Sequence, residues 1–107
     1  MLDGLWTAKF ASPFGHGNGV AIVTGDSIKG GDTGYYYYGK LQEDGDHVRS
    51  RLTVVRHDPA VTSIFGDAEI FELDIEGTAN DNVAALSGAV VGQPQLKISI
   101  EAHYQVA

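Results

Sequence analysis

The chain has no cysteine among its 107 residues. Disulfide staples, thiol chemistry and Cys-ligated zinc are therefore excluded, and a reducing cytoplasm is the expected location. Basic residues are scarce: 7 Lys and Arg stand against 14 Asp and Glu, a net charge of −7. Such a chain lacks the cations that meet nucleic-acid phosphates or anionic lipid, so neither is an expected partner. Long apolar runs are missing too. No window approaches the roughly 18 residues of a transmembrane helix. Near the start, Asp3 stands where a secretory leader is basic, and no leader is expected. Proline occurs only 3 times, against 14 glycines, so the chain turns mostly through glycine.

What remains is an alternation of apolar and polar residues with the period of two that marks β-strands. One domain, residues 1–107, is expected from the length. The segment at 30–54 organises the reading. A glycine-rich turn leads into four tyrosines, Tyr35, Tyr36, Tyr37 and Tyr38. An acidic turn follows, with Asp44-Gly45 as the expected tight pair, and then a strand alternating Val48, Ser50, Leu52, Val54 inward against Arg49, Arg51, Thr53, Val55. Before it, residues 4–11 place Trp6, Ala8 and Phe10 on one face, residues 12–18 read as a turn, 19–24 as an apolar strand of undecided face and 27–29 as a very short strand. After it, Asp58-Pro59 is an N-cap and first-turn signal and predicts one helical turn near 59–63. Strands follow at 69–78 (Phe71, Leu73, Ile75 inward), 83–91 and 96–106. Seven to eight strands with short turns predict an all-β antiparallel meander, and an eight-stranded up-and-down barrel over a sandwich, because closure removes exposed edges. Arg49 and Arg51 face outward on one strand, and Glu72, Asp74 and Glu76 on the next long one, so adjacent pairing would set opposite charges across from each other.

The chemical motifs are few. Gly15-His16-Gly17-Asn18-Gly19 resembles a phosphate loop, but a strand-like run follows where such a loop needs a helix, so a hairpin loop is expected. Asp32-Thr33-Gly34 matches the aspartic-protease triplet. The preceding Lys29-Gly30-Gly31 is not the apolar strand that triplet requires, so a turn in which Asp32 bonds its own backbone is expected, with a protease-like dimer as a remote alternative. His16, His47, His57 and His103 have no metal-ligand spacing. No catalytic residue, metal or cofactor is expected. By parity Tyr35 and Tyr37 point inward with Trp6, Phe10 and Phe71, a set able to line a ligand cavity in a small hydrophobic-ligand carrier. Tyr36 and Tyr38 point outward, where tyrosine is suited to a protein interface. Glu43, Asp44 and Asp46 form an acidic tip that suits either plain solvation or a basic partner segment.

Several of these pieces resemble one family. Asp3-Gly4 followed by an aromatic, Gly17-Asn-Gly-Val, Gly30-Gly-Asp with the tyrosines and Gly39, the acidic turn and the long strand from Val48 to His57 are similar to GrlR-like proteins, named for a negative regulator of type III secretion in bacteria. The resemblance spans the chain to about residue 80. It implies a lipocalin-like β-barrel that forms a homodimer, and a non-enzymatic regulator of transcription acting by protein–protein contact. In the founding member four consecutive carboxylates bind a transcriptional activator. This sequence keeps three, Glu43, Asp44 and Asp46, with Gly45 between them. The implied partner is a basic segment of a regulatory protein.

Overall fold

Alternating, β-branched and aromatic segments separated by glycine turns produce strands and nothing else among the described residues. The computed structural model describes residues 2–62, 65 and 68–107. Its strands are β1 (Gly4–Ser12), β2 (Gly15–Thr24), β3 (Ser27–Gly31), β4 (Tyr35–Asp44), β5 (His47–Arg56), β6 (Ile70–Ala79), β7 (Val83–Val90) and β8 (Gln93–Val106). Each pairs antiparallel with its sequence neighbour, and β8 returns to β1, so the sheet closes into an eight-stranded barrel. Closure leaves no whole strand at an edge, although the short β3 pairs only Val20–Thr24 of β2 and Tyr36–Lys40 of β4.

The up-and-down order fixes which turns share an end. The connections β1–β2, β3–β4, β5–β6 and β7–β8 lie at one end. Both chain termini and the connections β2–β3, β4–β5 and β6–β7 lie at the other. At the first end the β5–β6 connection turns back over the β3–β4 turn. The N–H groups of His57 and Asp58 both donate to the Gly34 carbonyl, at 2.8 and 3.3 Å, and the Val61 side chain sits where a Gly34 Cβ would stand. Tyr35 donates its hydroxyl to the Ala68 carbonyl at 2.9 Å. At the other end the Trp6 indole N–H donates to the Leu2 carbonyl at 2.9 Å.

Inward positions follow the expected parity. Val48, Ser50, Leu52 and Val54 of β5, Leu73 and Ile75 of β6, and Tyr35 of β4 are buried. Ser50, the buried polar member, donates to the Lys40 carbonyl at 2.7 Å, which removes the penalty of an unbonded interior hydroxyl. Strands β5 and β6 are neighbours, and Arg49 lies opposite Glu76 and Arg51 opposite Asp74. Arg51 grips Asp74 with two parallel bonds, Nε to Oδ1 at 2.7 Å and Nη2 to Oδ2 at 2.8 Å. That hydrogen-bonded guanidinium holds the Asp74 carboxyl below the usual carboxylate range.

Several boundaries differ from the sequence expectation, each for a local reason. The short strand expected at 27–29 runs on through Gly30 and Gly31, which pair with Tyr37 and Tyr36. Residues 15–18 are strand rather than turn: Ser12 pairs with Gly15, so only Pro13 and Phe14 turn the chain. The β4–β5 turn is centred on Gly45-Asp46 rather than Asp44-Gly45, because Asp44 pairs with His47 and Gly45 alone takes the left-handed φ of +63°. The helical turn expected at 59–63 is a β-turn in which Val61 donates to the Asp58 carbonyl and Ala60 to its side chain; Ser63 lies outside the described residues. Strand β8 begins at Gln93, with Pro94 in a stretch where the β7–β8 register shifts, as proline's missing N–H requires.

Candidate functional site

Three features of the barrel are candidates: its interior, one outer face and one end.

The interior holds a cavity of about 390 Å³. Trp6, Phe10, Tyr35, Tyr37 and Phe71, the five aromatics expected inward, all line it. The space exists because bulk is distributed unevenly around the wall. Strands β4 to β6 supply large inward side chains. Across β7, β8, β1 and β2, one row runs Ala84, Ala102, Ala8, Gly19, each paired with the next, and offers methyls or less. The glycines of β2 explain the Gly-His-Gly-Asn-Gly motif. At the inward positions they leave room for aromatic rings: a Cβ on Gly17 would strike the Phe10 ring, and one on Gly19 would strike the Tyr37 hydroxyl. His16 and Asn18, between them, are exposed. The motif is a glycine wall, not a loop.

Tyr37 is the unusual member of this lining. Its hydroxyl oxygen is buried and has no hydrogen-bond partner among the described residues. Burial raises its pKa far above the ordinary tyrosine value, and the Asp32 carboxylate adds to the shift. Asp32 itself is a turn residue. Its Oδ1 accepts the N–H groups of Gly34 and Tyr35 at 3.1 and 2.9 Å, the self-bonded turn expected of that triplet.

The outer face carries the other two tyrosines. Tyr36 and Tyr38 are 44% and 46% exposed, with rings stacked at 6.3 Å between centroids and 19° between planes. The register extends this pair into a patch. Gly31 links Tyr36 to Val20, Lys29 links Tyr38 to Ile22, and Val55 links Tyr36 to Ile70. Val20, Ile22 and Ile70 are themselves exposed, Ile22 by 54% and Ile70 by 63%. Val20 and Ile22 escaped the sequence reading because their strand is apolar on both faces. The glycines at inward positions of β2 were the signal that assigns its face.

The acidic tip lies at the barrel end that also holds both termini. Glu43, Asp44 and Asp46 are all exposed. No ion pair or hydrogen bond engages their side chains among the described residues. Gly45 at φ +63° followed by Asp46 with negative φ matches the II′ pattern, glycine first. Asp3, Asp26 and Asp81 stand in segments at the same end. Asp26 faces Lys40 at 3.5 Å, and Asp3 accepts the Gly25 N–H at 3.1 Å. Acidic residues therefore stand in the N-terminal segment and in all three turns of this end, which sequence reading missed because they are scattered over the chain. No group of three or more His, Asp or Glu able to hold a metal occurs among the described residues, and no helix of the described residues is long and apolar enough to cross a membrane.

With the barrel and its acidic rim described, the family comparison is decisive. The model of the type III secretion system negative regulator GrlR matches residues 1–106. The chain belongs to the GrlR family. No curated protein matches it. GrlR is a regulatory family, and its model runs past residue 80 through β7 and β8, further than the recognisable motifs reach. In this GrlR-family barrel the tip residues are brought together at one rim, the aromatic set surrounds the interior, and the outward tyrosines join a lateral patch.

Proposed function

We propose that this GrlR-family barrel is a non-enzymatic negative regulator of type III secretion that binds a basic segment of a regulatory protein at its acidic rim, in the cytoplasm. The family match over residues 1–106 carries the regulatory part. The contact rests on Glu43, Asp44 and Asp46, exposed carboxylates without an internal partner among the described residues. Solvated charges of one sign at a hairpin turn steer and register an oppositely charged partner. Binding of a transcriptional activator in this way would withhold it from its promoters, which is how a protein with a net charge of −7 can govern transcription without touching DNA.

The test is affinity capture from the native cell with the wild-type chain and with Glu43→Lys, Asp44→Lys, Asp46→Lys combined. The triple variant should keep the wild-type melting temperature and lose the captured regulator. Equal capture by both proteins overturns the rim as the contact.

The lateral patch of Val20, Ile22, Tyr36, Tyr38 and Ile70 supports a homodimer. A contiguous exposed apolar face of this kind is what self-association covers, and it lies on the barrel wall, leaving the rim open.

A further inference from the structure

We propose that the barrel interior binds one small, uncharged and largely apolar molecule carrying a hydrogen-bond acceptor that meets the Tyr37 hydroxyl. The proposal concerns the cavity alone and does not depend on the regulatory reading.

Three observations point to it. An eight-stranded barrel is just wide enough for its side chains to fill or for one small ligand. Here they do not fill it: about 390 Å³ is open, within the roughly 300–1,000 Å³ of small-molecule sites. The open space borders Ala84, Ala102 and Ala8, three methyls in one row where larger aliphatic side chains would take up room. Second, the lining includes one buried polar atom with nothing to bond. The Tyr37 hydroxyl lies over Gly19, at the end of that row, without a partner among the described residues. Buried hydroxyls are ordinarily satisfied, so this one is placed to meet an acceptor on a bound molecule. Third, charge decides the class. No Lys or Arg lines the cavity among the described residues, so an anion would be buried without a counter-ion, beside an Asp32 carboxylate already close enough to act on Tyr37. Asp32 borders the cavity too, but its Oδ1 already accepts two backbone N–H groups of its own turn, so it offers a cationic ligand only part of a carboxylate against an otherwise apolar wall. An uncharged ligand with an acceptor oxygen satisfies Tyr37 and leaves the remaining apolar surface to its hydrocarbon.

The test is fluorescence titration of the full chain with N-phenyl-1-naphthylamine, followed by displacement with decan-1-ol, decanoate and decylamine. Saturable enhancement at one probe per chain is expected, with decan-1-ol displacing it at least tenfold more effectively than either charged analogue. Tyr37→Phe should weaken decan-1-ol between about two- and tenfold, the worth of one hydrogen bond, while the naphthylamine binds as before. Ala102→Leu should abolish binding of both; Ala8→Val gives a milder filling if that variant folds poorly, with far-UV circular dichroism as the control. No saturable enhancement together with no decan-1-ol-induced rise in melting temperature overturns the site. Undiminished binding in a folded, filled variant places the probe on the surface and does the same. A charged analogue equal to the alcohol overturns the ligand class, and an unaffected Tyr37→Phe overturns the role of Tyr37.

Discussion

At the scale of the residue, Tyr37 is where this barrel departs from ordinary packing. An unbonded hydroxyl in the interior opposes folding, so Tyr37→Phe should raise stability at neutral pH by about 1 kcal/mol, read by urea denaturation of the ligand-free protein. The same residue sets an alkaline limit. Its folded pKa is raised, so the neutral phenol is the form the fold favours. That contribution is fully present below the unfolded value of about 10 and is lost as pH rises beyond it. Thermal melts from pH 8 upward should therefore fall less steeply above pH 10 in Tyr37→Phe than in the wild type. Gly19 is the complementary residue. A Cβ there would collide with the Tyr37 oxygen, so Gly19→Ala must displace the ring and should cost about 1–3 kcal/mol in the same denaturation experiment. The alternation of glycine at 17 and 19 is visible in the sequence. Its meaning is not, because it depends on which rings lean against β2 from β1 and β4.

At the scale of the element, the β4–β5 hairpin was the best specified piece of the chain. Period-two alternation divided its tyrosines and its β5 residues correctly between the two faces, since parity in a strand is a local property. The turn itself slipped by one residue from expectation, because both Asp44-Gly45 and Gly45-Asp46 are acceptable turn pairs and only the ladder register chooses between them. That choice matters for the rim. Gly45 is the residue that breaks the run of carboxylates, and it holds φ +63° at the first central position of a II′ turn, a place suited to glycine and strained for aspartate. Gly45→Asp should lower stability by about 1–3 kcal/mol while increasing retention of the regulator in affinity capture, since a fourth carboxylate joins the rim. Lower retention would show that the glycine conformation, rather than charge, makes the contact. The Arg51–Asp74 pair belongs to this scale also. Its charges were legible as an alternating pattern on two strands, but the bidentate geometry needed β5 and β6 to be placed side by side.

At the scale of the whole molecule, three surfaces coexist without overlap: an acidic rim, an apolar flank and an enclosed interior. The flank assembles from β2, β4 and β6, three strands separated in sequence. If it pairs two copies, Ile22→Glu and Tyr38→Glu should each convert the dimer to a monomer at micromolar concentration in size-exclusion chromatography with light scattering, because a carboxylate buried without a partner is strongly disfavoured. A wild-type chain that elutes as a monomer under the same conditions, or variants that remain dimeric, would remove the flank as the interface. The loss of dimer should leave the Lys-reversal phenotype of the rim intact, since the two surfaces lie on different parts of the barrel.

The sequence by itself determined the all-β class, the meander order of seven to eight strands, the parity of the strands that alternate cleanly and the acidic tip. All of these are short-range: side-chain alternation, turn propensity and charge are read from residues a few positions apart. Only the tertiary structure decided that β8 returns to β1, that the small residues Ala84, Ala102 and Ala8 form one row bordering an open interior, and that Tyr37 ends over Gly19 without a partner among the described residues. Those facts depend on barrel closure, which brings β8 beside β1 and sets every register relative to the others; no local pattern encodes that sum.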